Sequence, residues 1–276
     1  MTLVRCDAGL AALRLTGADR LSFLHRLTTA NVASLAAGES RPTLLLERTG
    51  RLVDRLLMVA RPDDTVLIAT GERAAVVAES LRRYVIADDV EIEESGDEVV
   101  TLVGEVPAEL APGLTIARDG DVVAHVFGPG AAAATADVPP AAPGEWERIR
   151  IETLRPAFGA EWDDRSLPLE VGLAGCIDFT KGCYLGQEVV ARLYNYRRVK
   201  RHLVRLTLEG ADVPAPGTEL LAGDAPVGRI TTAARRDGIP IAFASVVKEQ
   251  ATRDARLVLA DGTPATVSPI GGEEKP

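Results

Sequence analysis

The stretch Asp178-Phe-Thr-Lys-Gly-Cys-Tyr-Leu-Gly-Gln-Glu188 is the densest polar, glycine-punctuated part of the sequence. Two glycines bracket Cys183, and Lys181 precedes the first of them. Glycine allows positive φ and a close approach of the backbone to a ligand. A nearby ammonium and the N-terminus of the following helix both favour a thiolate. The stretch therefore predicts a reactive Cys183 beside a ligand site, and the alternative is a small buried hydrophobic residue in a tight turn.

Two candidate ligand groups lie upstream of this stretch. Arg150 and Glu152 are two positions apart, so they cannot share one face of a helix, and one can point toward a pocket while the other is structural. Glu170 is a polar residue between Leu169 and Val171. It is either an exposed strand residue or a carboxylate that faces a ligand.

A basic strip follows the stretch, with no acidic residue between Glu188 and Glu209. Tyr194 and Tyr196 are interleaved with its cations. Cations with aromatic neighbours suit an anionic ligand tail or a nucleic acid, and the alternative is a solvated loop between domains. The cations of this basic strip are Arg192, Arg197, Arg198, Lys200, Arg201 and Arg205.

Apolar periodicity predicts strands mixed with helices up to residue 200 and a compact all-β module after it. This order gives an α+β protein, with domains at 1–200 and 201–276. The module has the strand spacing of a small barrel or sandwich. The acidic run at 88–98 predicts a solvated edge strand and loop, and the Pro, Gly and Ala-rich segment at 128–144 predicts a loop or linker. Predicted strands cover 10–15, 43–47, 52–60, 65–69, 99–103 and 122–126, and predicted helices cover 72–84, 146–154 and 188–194.

Composition excludes several classes of protein. The 276 residues are 46% hydrophobic and 26% charged, which is typical of a globular protein, and the formal net charge of −9 argues against a generic nucleic-acid coat. The three cysteines include no C-x-x-C pair, so we expect neither a disulfide framework nor a self-contained metal site. We find no signal peptide and no apolar run long enough for a membrane span, so we expect a cytoplasmic protein without a membrane partner.

Lys181-Gly-Cys-Tyr-Leu-Gly-Gln-Glu188 resembles the signature octet of the YgfZ-type folate-binding proteins. These proteins support iron–sulfur cluster assembly or repair and are related to the glycine-cleavage T-protein, an aminomethyltransferase. Weaker similarities lie in Gly17–Leu24, in Arg155–Glu170, and in the segments around Gly228–Thr231 and Ile241–Lys248. The resemblance thus extends over most of the chain.

The resemblance implies a T-protein-like region of antiparallel sheets with flanking helices, followed by a small C-terminal β-barrel. It also implies a pocket for tetrahydrofolate or another reduced folate in the first 200 residues. Cys183 corresponds to the family's defining cysteine and is the expected functional thiol. The other residues that we expect at the cofactor site are Arg150, Glu170, Lys181, Gly182, Tyr184, Gly186, Gln187, Glu188 and Arg192.

One departure from the T-protein pattern bears on activity. The run Gly50-Arg-Leu-Val-Asp-Arg-Leu56 has Asp54 at the first aspartate position of the T-protein motif, but Arg55 at the second. A guanidinium stays charged and cannot act as that carboxylate would. We therefore expect an accessory protein for iron–sulfur cluster assembly or repair without the classical turnover, with iron–sulfur clients as partners. The alternatives are a folate-dependent aminomethyltransferase or demethylase, and a tRNA-linked or RNA-contacting module that uses the basic strip.

Overall fold

The structure is a computed structural model that describes residues 1–196 and 198–269. The chain folds into two compact units. The first unit contains Met1–Ala141 and Cys176–Gln187, and the second contains Ala142–Gly175 and the chain from Glu188 onward. The first unit therefore contains the Lys181 stretch up to Gln187, and the second unit takes residues from both sides of it. The domain division at 200 and 201 stays a prediction.

A five-stranded antiparallel sheet forms the centre of the first unit. Its strands alternate aliphatic side chains between two faces, and tight turns join them, as at Gly50, where φ is +76°. The acidic strand at Glu91–Glu98 lies at one edge, so the acidic run forms the solvated edge strand that the sequence predicts. The sheet order is β3-β4-β5-β2-β6, with β2 at Leu10–Thr16, β3 at Ser40–Leu46, β4 at Leu52–Ala60, β5 at Thr65–Thr70 and β6 at Glu91–Glu98.

A second antiparallel sheet packs on one face of the first within the same unit. Phe127 and Ala117 of this sheet contact Leu57 and Val59 of the five-stranded sheet in a shared apolar cluster. The sequence predictions missed the strands at Val4–Cys6 and Thr115–Arg118, which are too short for their alternation to be distinguished from a loop. The sheet order is β1-β7-β9-β8, with β1 at Val4–Cys6, β7 at Val100–Val103, β8 at Thr115–Arg118 and β9 at Val123–Phe127.

Two helices, α1 (Arg20–Leu27) and α2 (Ala74–Arg82), contribute to the apolar core on the other face of the five-stranded sheet. The segment predicted as a loop or linker at 128–144 contains a short helix, α3 (Ala131–Ala134), which packs on the four-stranded sheet. The Arg5 N–H also donates to the Pro139 carbonyl at 2.8 Å. The remainder of the segment is irregular, and the boundary between the two units falls within it, after Ala141. Its alanines also supply apolar contacts to the first unit.

The second unit is built on a closed antiparallel barrel, which confirms the predicted C-terminal β-barrel and excludes the sandwich. Helix α4 (Glu145–Glu152) packs on the outside of the barrel through Ile151. Helix α5 covers Gln187–Tyr196. The barrel order is β10-β13-β12-β11-β14-β15, with β10 at Arg201–Leu208, β11 at Glu219–Ala222, β12 at Ala225–Arg236, β13 at Ile239–Val247, β14 at Arg256–Leu259 and β15 at Pro264–Pro269.

Asp54 is a fully buried carboxylate within the core of the first unit. It accepts hydrogen bonds from the Thr70 N–H at 2.9 Å, the Thr70 hydroxyl at 2.9 Å and the Arg55 N–H at 2.8 Å. Burial raises the pKa of Asp54 to about 6, although these hydrogen bonds and the charge of Arg73 act in the opposite direction. The carboxylate fixes the β4–β5 pair at the cost of an unfavourable buried charge.

We expect the stability of the protein to fall as the pH rises from about 4 to about 6 through this group. The folded state binds the Asp54 proton more tightly than the unfolded state does. The free energy of unfolding therefore falls as the pH rises through that window, by about 3 kcal/mol over the whole window. Urea unfolding of the wild type and of Asp54→Asn between pH 4 and pH 8 measures this contribution. The free-energy difference between the two proteins should change with pH below about 6.5 and stay constant above it, and a difference independent of pH would contradict the assignment.

Candidate functional site

The Lys181 stretch begins with a turn that Asp178 closes. Its carboxylate accepts hydrogen bonds from the Thr180 N–H at 2.8 Å, the Thr180 hydroxyl at 2.7 Å and the Lys181 N–H at 3.1 Å. The Thr180 hydrogen bonds are the main reason why the pKa of Asp178 lies below its usual value. The Asp178 N–H also donates to the Thr29 carbonyl at 3.0 Å. The turn is thereby tied to the segment that follows helix α1.

The ammonium group of Lys181 binds three backbone carbonyls at the C-terminal end of helix α1. Its Nζ lies 2.6 Å from the His25 oxygen, 2.7 Å from the Thr28 oxygen and 2.8 Å from the Ala30 oxygen. A cation at this end of a helix satisfies carbonyls that have no partner in the helix and complements its dipole. Burial lowers the pKa of Lys181 to about 8, so the group is still mostly protonated at pH 7. The sequence predicts Lys181 at the cofactor site, but its three N–H donors bind backbone carbonyls of the protein itself.

The backbone at position 186 accepts only glycine without strain. Its φ is +81°, and a Cβ there would lie 2.5 Å from the Glu47 oxygen and 3.1 Å from the Gly50 Cα. Gly182 has no such constraint, since a Cβ there would meet no atom within 4 Å. Tyr184 between them is buried, and this burial raises its pKa to about 12. Two of these three predicted site residues therefore shape the turn itself.

Cys183 lies on the surface of the turn as an exposed free thiol. The two residues that follow the turn, Gln187 and Glu188, form the start of helix α5. Glu188 pairs with Arg192 one helical turn later at 2.9 Å, and both side chains are largely exposed. This exposure excludes the alternative of a small buried hydrophobic residue at Cys183.

Arg150 belongs to a buried polar network of the second unit. It donates to the Glu161 carboxylate at 2.7 Å, to the Thr232 hydroxyl at 3.2 Å and to the Arg155 carbonyl at 3.1 Å. The Thr232 hydroxyl in turn donates to the other Glu161 oxygen at 2.5 Å. The structure thus joins Arg150 on helix α4 to the barrel strand β12, and its role at a ligand stays a prediction.

Glu170 is half-buried in the second unit, and its backbone is paired with the barrel. The Leu203 N–H donates to the Glu170 carbonyl at 2.8 Å. Burial raises the pKa of the Glu170 carboxyl, although the Leu167 backbone and the charge of Arg201 act in the opposite direction. Among the described residues, no side chain donates a hydrogen bond to this carboxyl. Glu170 is therefore well placed to accept hydrogen bonds from a ligand.

The basic strip is exposed over most of its described part. Arg198 lies over the ring of Tyr196 at 5.4 Å, and Arg201 donates to the Ser245 hydroxyl and carbonyl at 3.1 and 2.9 Å. Lys200 is exposed, and Arg205 is half-buried. The predicted cation Arg197 lies outside the described residues.

A cluster that the sequence analysis did not predict lies between the two sheets of the first unit. Arg55 on β4 pairs there with Asp119, which itself lies close to His125 on β9. The side chain of Cys176 is also a hydrogen-bond partner of Arg55. The signal in the sequence was a cation, beside Asp54, on a strand whose other residues are apolar, but the partners of Arg55 are more than sixty residues away.

No helix within residues 1–196 and 198–269 is long and apolar enough to cross a membrane. The same residues contain no group of three or more His, Cys, Asp or Glu side chains placed to hold a metal ion.

No family model matches this sequence, but known proteins are similar to it at moderate identity. A chloroplastic transferase-like protein of Arabidopsis thaliana is 27% identical over 80% of this chain, and the match spans 59% of that relative's own length. The tRNA-modifying protein YgfZ of Edwardsiella ictaluri is 27% identical over 73% of this chain and 69% of its own. An aminomethyltransferase of Streptomyces coelicolor is 23% identical over 88% of this chain and 79% of its own.

A solved structure gives the fold. The crystal structure of the glycine cleavage system aminomethyltransferase T from Bartonella henselae superposes with a TM-score of 0.85 at 16% identity, over 96% of this chain and 85% of that one. The protein therefore has the fold of the T-protein class. Together with the sequence relatives, this confirms the resemblance: the chain is related to the YgfZ-type proteins and to the glycine-cleavage T-protein.

We expect Lys181→Met to destabilise the protein by about 3 kcal/mol, because methionine keeps the apolar stem but leaves buried carbonyls at the end of helix α1 without a charged donor. Urea unfolding at pH 7 measures the loss. The control is Lys200→Met, which removes the same charge from an exposed position and should leave the midpoint unchanged. Equal midpoints for the two variants would show that Lys181 is not the cap described above.

Proposed function

We propose that the protein binds a reduced folate, tetrahydrofolate or a derivative of it, and serves as an accessory protein in iron–sulfur cluster assembly or repair. The relation to YgfZ-type proteins and to aminomethyltransferases supports this class of ligand. The half-buried Glu170 carboxyl is the observation in this chain that carries the proposal. Tetrahydrofolate, when bound, supplies a carrier for one-carbon groups.

Glu170 fits the pterin end of such a ligand. A reduced pterin presents neighbouring N–H donors, and a carboxylate can accept two of them in one plane. Desolvation already disfavours the charge on Glu170, and no described side chain donates to its carboxyl. A ligand that donates two hydrogen bonds relieves this cost, so binding and ionisation of Glu170 support each other.

Exposed cations of the basic strip suit the anionic end of the ligand. The glutamate tail of a folate carries carboxylates, and an exposed guanidinium such as that of Arg192 can bind them in a forked geometry. Arg192 is 61% exposed, and its ion-pair partner among the described residues is the exposed Glu188 across one helical turn. An exposed pair of this kind is weak, so the guanidinium can exchange its partner for the tail.

Cys183 is the proposed functional thiol in the iron–sulfur role. It is exposed at a turn that Lys181 and Gly186 hold in shape. An exposed thiol on a rigid turn can meet a protein partner directly. This supports a protein-linked step with an iron–sulfur client or assembly protein.

The aminomethyltransferase alternative has less support in this chain. Arg55 forms a buried ion pair with Asp119 at 2.8 Å and cannot supply the carboxylate of the T-protein motif. Catalysed consumption of an aminomethyl donor in the presence of tetrahydrofolate would favour this alternative. An RNA-contacting role is favoured only by the name of one relative, and no specific contact in the described residues adds to it.

We expect Glu170→Gln to weaken the binding of tetrahydrofolate about tenfold, because the amide loses the charge and one of the two acceptors. Calorimetry with a reduced folate at pH 7 measures this. The control is Glu249→Gln, which neutralises an exposed glutamate of the same unit and should bind like the wild type. Absence of binding by the wild type at high micromolar folate would overturn the proposed ligand, and unchanged binding by Glu170→Gln would overturn the role of Glu170.

We expect Cys183→Ala to fold and to bind the folate like the wild type, because the thiol is exposed and its loss leaves no cavity. The same variant should fail to support iron–sulfur enzyme activity in cells that lack the wild-type protein. The matched control is Ser34→Ala, which removes a similarly small polar atom from another exposed position. Full support by Cys183→Ala would contradict the proposed thiol role and leave folate binding unaffected.

A further inference from the structure

A cavity of about 480 Å³ lies in the first unit, where edge strands of its two sheets meet. Strand β3 is the last strand at one end of the five-stranded sheet, and β8 is the last strand at one end of the four-stranded sheet. The Ser40 hydroxyl on β3 donates to the Arg118 carbonyl on β8 at 2.6 Å, so a hydrogen bond joins the two edges at the cavity. The volume suits a small organic molecule. The lining residues are 38–41, Ala108, Ile116 and Arg118.

Two guanidinium groups contribute to this lining, and backbone carbonyls hold each of them. Arg41 Nη1 donates to the Asn31 carbonyl. Arg118 Nη2 donates to the Val106 carbonyl at 3.0 Å and to the Pro107 carbonyl at 3.3 Å. A guanidinium has more N–H donors than these hydrogen bonds use, so each group keeps further N–H groups for a ligand. The carbonyls orient both side chains without neutralising their charge.

The positive charge at the cavity is larger than the negative charge. Within residues 1–196 and 198–269, neither Arg41 nor Arg118 forms an ion pair with a carboxylate. The buried cations Arg55 and Arg150, by contrast, each pair with one. The acidic residue of the lining is Glu39, and its Oε2 accepts a backbone N–H of the turn before β3 at 3.0 Å. This hydrogen bond ties the Glu39 carboxylate to that turn, so the lining favours an anion.

The lining also has an apolar part, formed by Ile116 and Ala108. Ile116 is half-buried and packs against the apolar cluster of the four-stranded sheet. The cavity thus combines two cations with an apolar wall. A phosphate group carries about two negative charges at neutral pH, and guanidinium groups bind its oxygens in a forked geometry. A phosphate ester of a small organic molecule matches both parts of the lining.

We propose that this cavity binds a small phosphorylated molecule. Arg41 and Arg118 bind the phosphate group from the two sheet edges, and Ile116 contacts the organic part. RNA is a poorer match, because its affinity depends on a row of phosphate contacts, and this cavity offers two guanidinium groups in a chain with a net charge of −9. None of the lining residues is among those that we expect at the folate site, so this ligand is additional to the folate.

The first test is calorimetry of the full-length protein with phenyl phosphate, inorganic phosphate and benzoate at pH 7. We expect phenyl phosphate to bind about fivefold more tightly than inorganic phosphate, because its ring contacts Ile116. It should bind about tenfold more tightly than benzoate, which carries a smaller charge on the same ring. Absence of phenyl phosphate binding at millimolar concentration, or equal affinity for benzoate, would overturn the proposal. So would displacement of phenyl phosphate by micromolar single-stranded RNA, because it would identify a nucleic-acid site.

Variants of Arg118 test the site itself. Arg118→Gln removes an exposed charge and should weaken the binding of phenyl phosphate about tenfold, and Arg118→Lys should recover part of the affinity because it restores the charge without the fork. The control is Arg51→Gln, which removes the same charge from an exposed turn of the same unit and should bind like the wild type. Equal weakening by Arg51→Gln would show only an effect of net charge and would contradict a site at Arg118.

Arg41→Gln tests the second guanidinium, and urea unfolding establishes that this variant is folded. We expect a loss of phenyl phosphate binding similar to that of Arg118→Gln. Unchanged binding by both variants would overturn the proposed site. Tetrahydrofolate binding, measured on the same samples, should be unchanged in both, so the failure of this site and the failure of the proposed function are distinguishable.

Discussion

The ammonium group of Lys181 is the interaction on which the arrangement of the first unit depends. It satisfies three carbonyls where helix α1 ends, and it is contributed by a residue about 150 positions further along the chain. This contact brings the Cys176–Gln187 segment into the first unit, although the residues before and after that segment belong to the second. Its net effect is both to cap a helix and to fix the turn that exposes Cys183.

Two other charged side chains in the molecule, Arg55 and Arg150, are also enclosed together with polar partners. In the first unit, Arg55 lies between two sheets only because Asp119 accepts both of its hydrogen bonds and His125 lies behind Asp119. In the second unit, Arg150 is enclosed by Glu161 and Thr232. Each buried cation is matched by an almost completely buried carboxylate, because an unmatched charge in either place would cost several kcal/mol.

Glu170 differs from these matched groups. Its carboxyl is half-buried and its pKa is raised by burial, yet the described side chains do not supply a donor to it. Groups that a fold leaves partly desolvated and without a side-chain donor are those most useful to a ligand. Both carboxyl oxygens of Glu161 accept hydrogen bonds from side chains, whereas no described side chain donates to Glu170. In the same unit, Glu161 is therefore a structural carboxylate and Glu170 a candidate binding carboxylate.

The sequence by itself determined the class of the fold and most of its elements. Alternation and turns located the meander at 43–69, the acidic edge strand and the C-terminal strands, because these features depend on local periodicity. It also identified the turn around Cys183, since glycine and lysine in that pattern are unusual. The sequence did not predict short strands such as Val4–Cys6 or the helix at Ala131–Ala134, because elements this short contain too few residues to show a periodicity.

Only the tertiary structure decided which side chains are committed to the fold and which remain available. It showed that Lys181 and Arg150, both expected at a ligand, bind groups of the protein itself, and that Arg55 meets Asp119 and Cys176. The partners of Lys181 and the Asp119 partner of Arg55 lie 64 to 156 positions away, and contacts this distant leave no trace in local periodicity. Sequence pattern fixes which face of an element is apolar, whereas the partner of a buried charge depends on long-range packing.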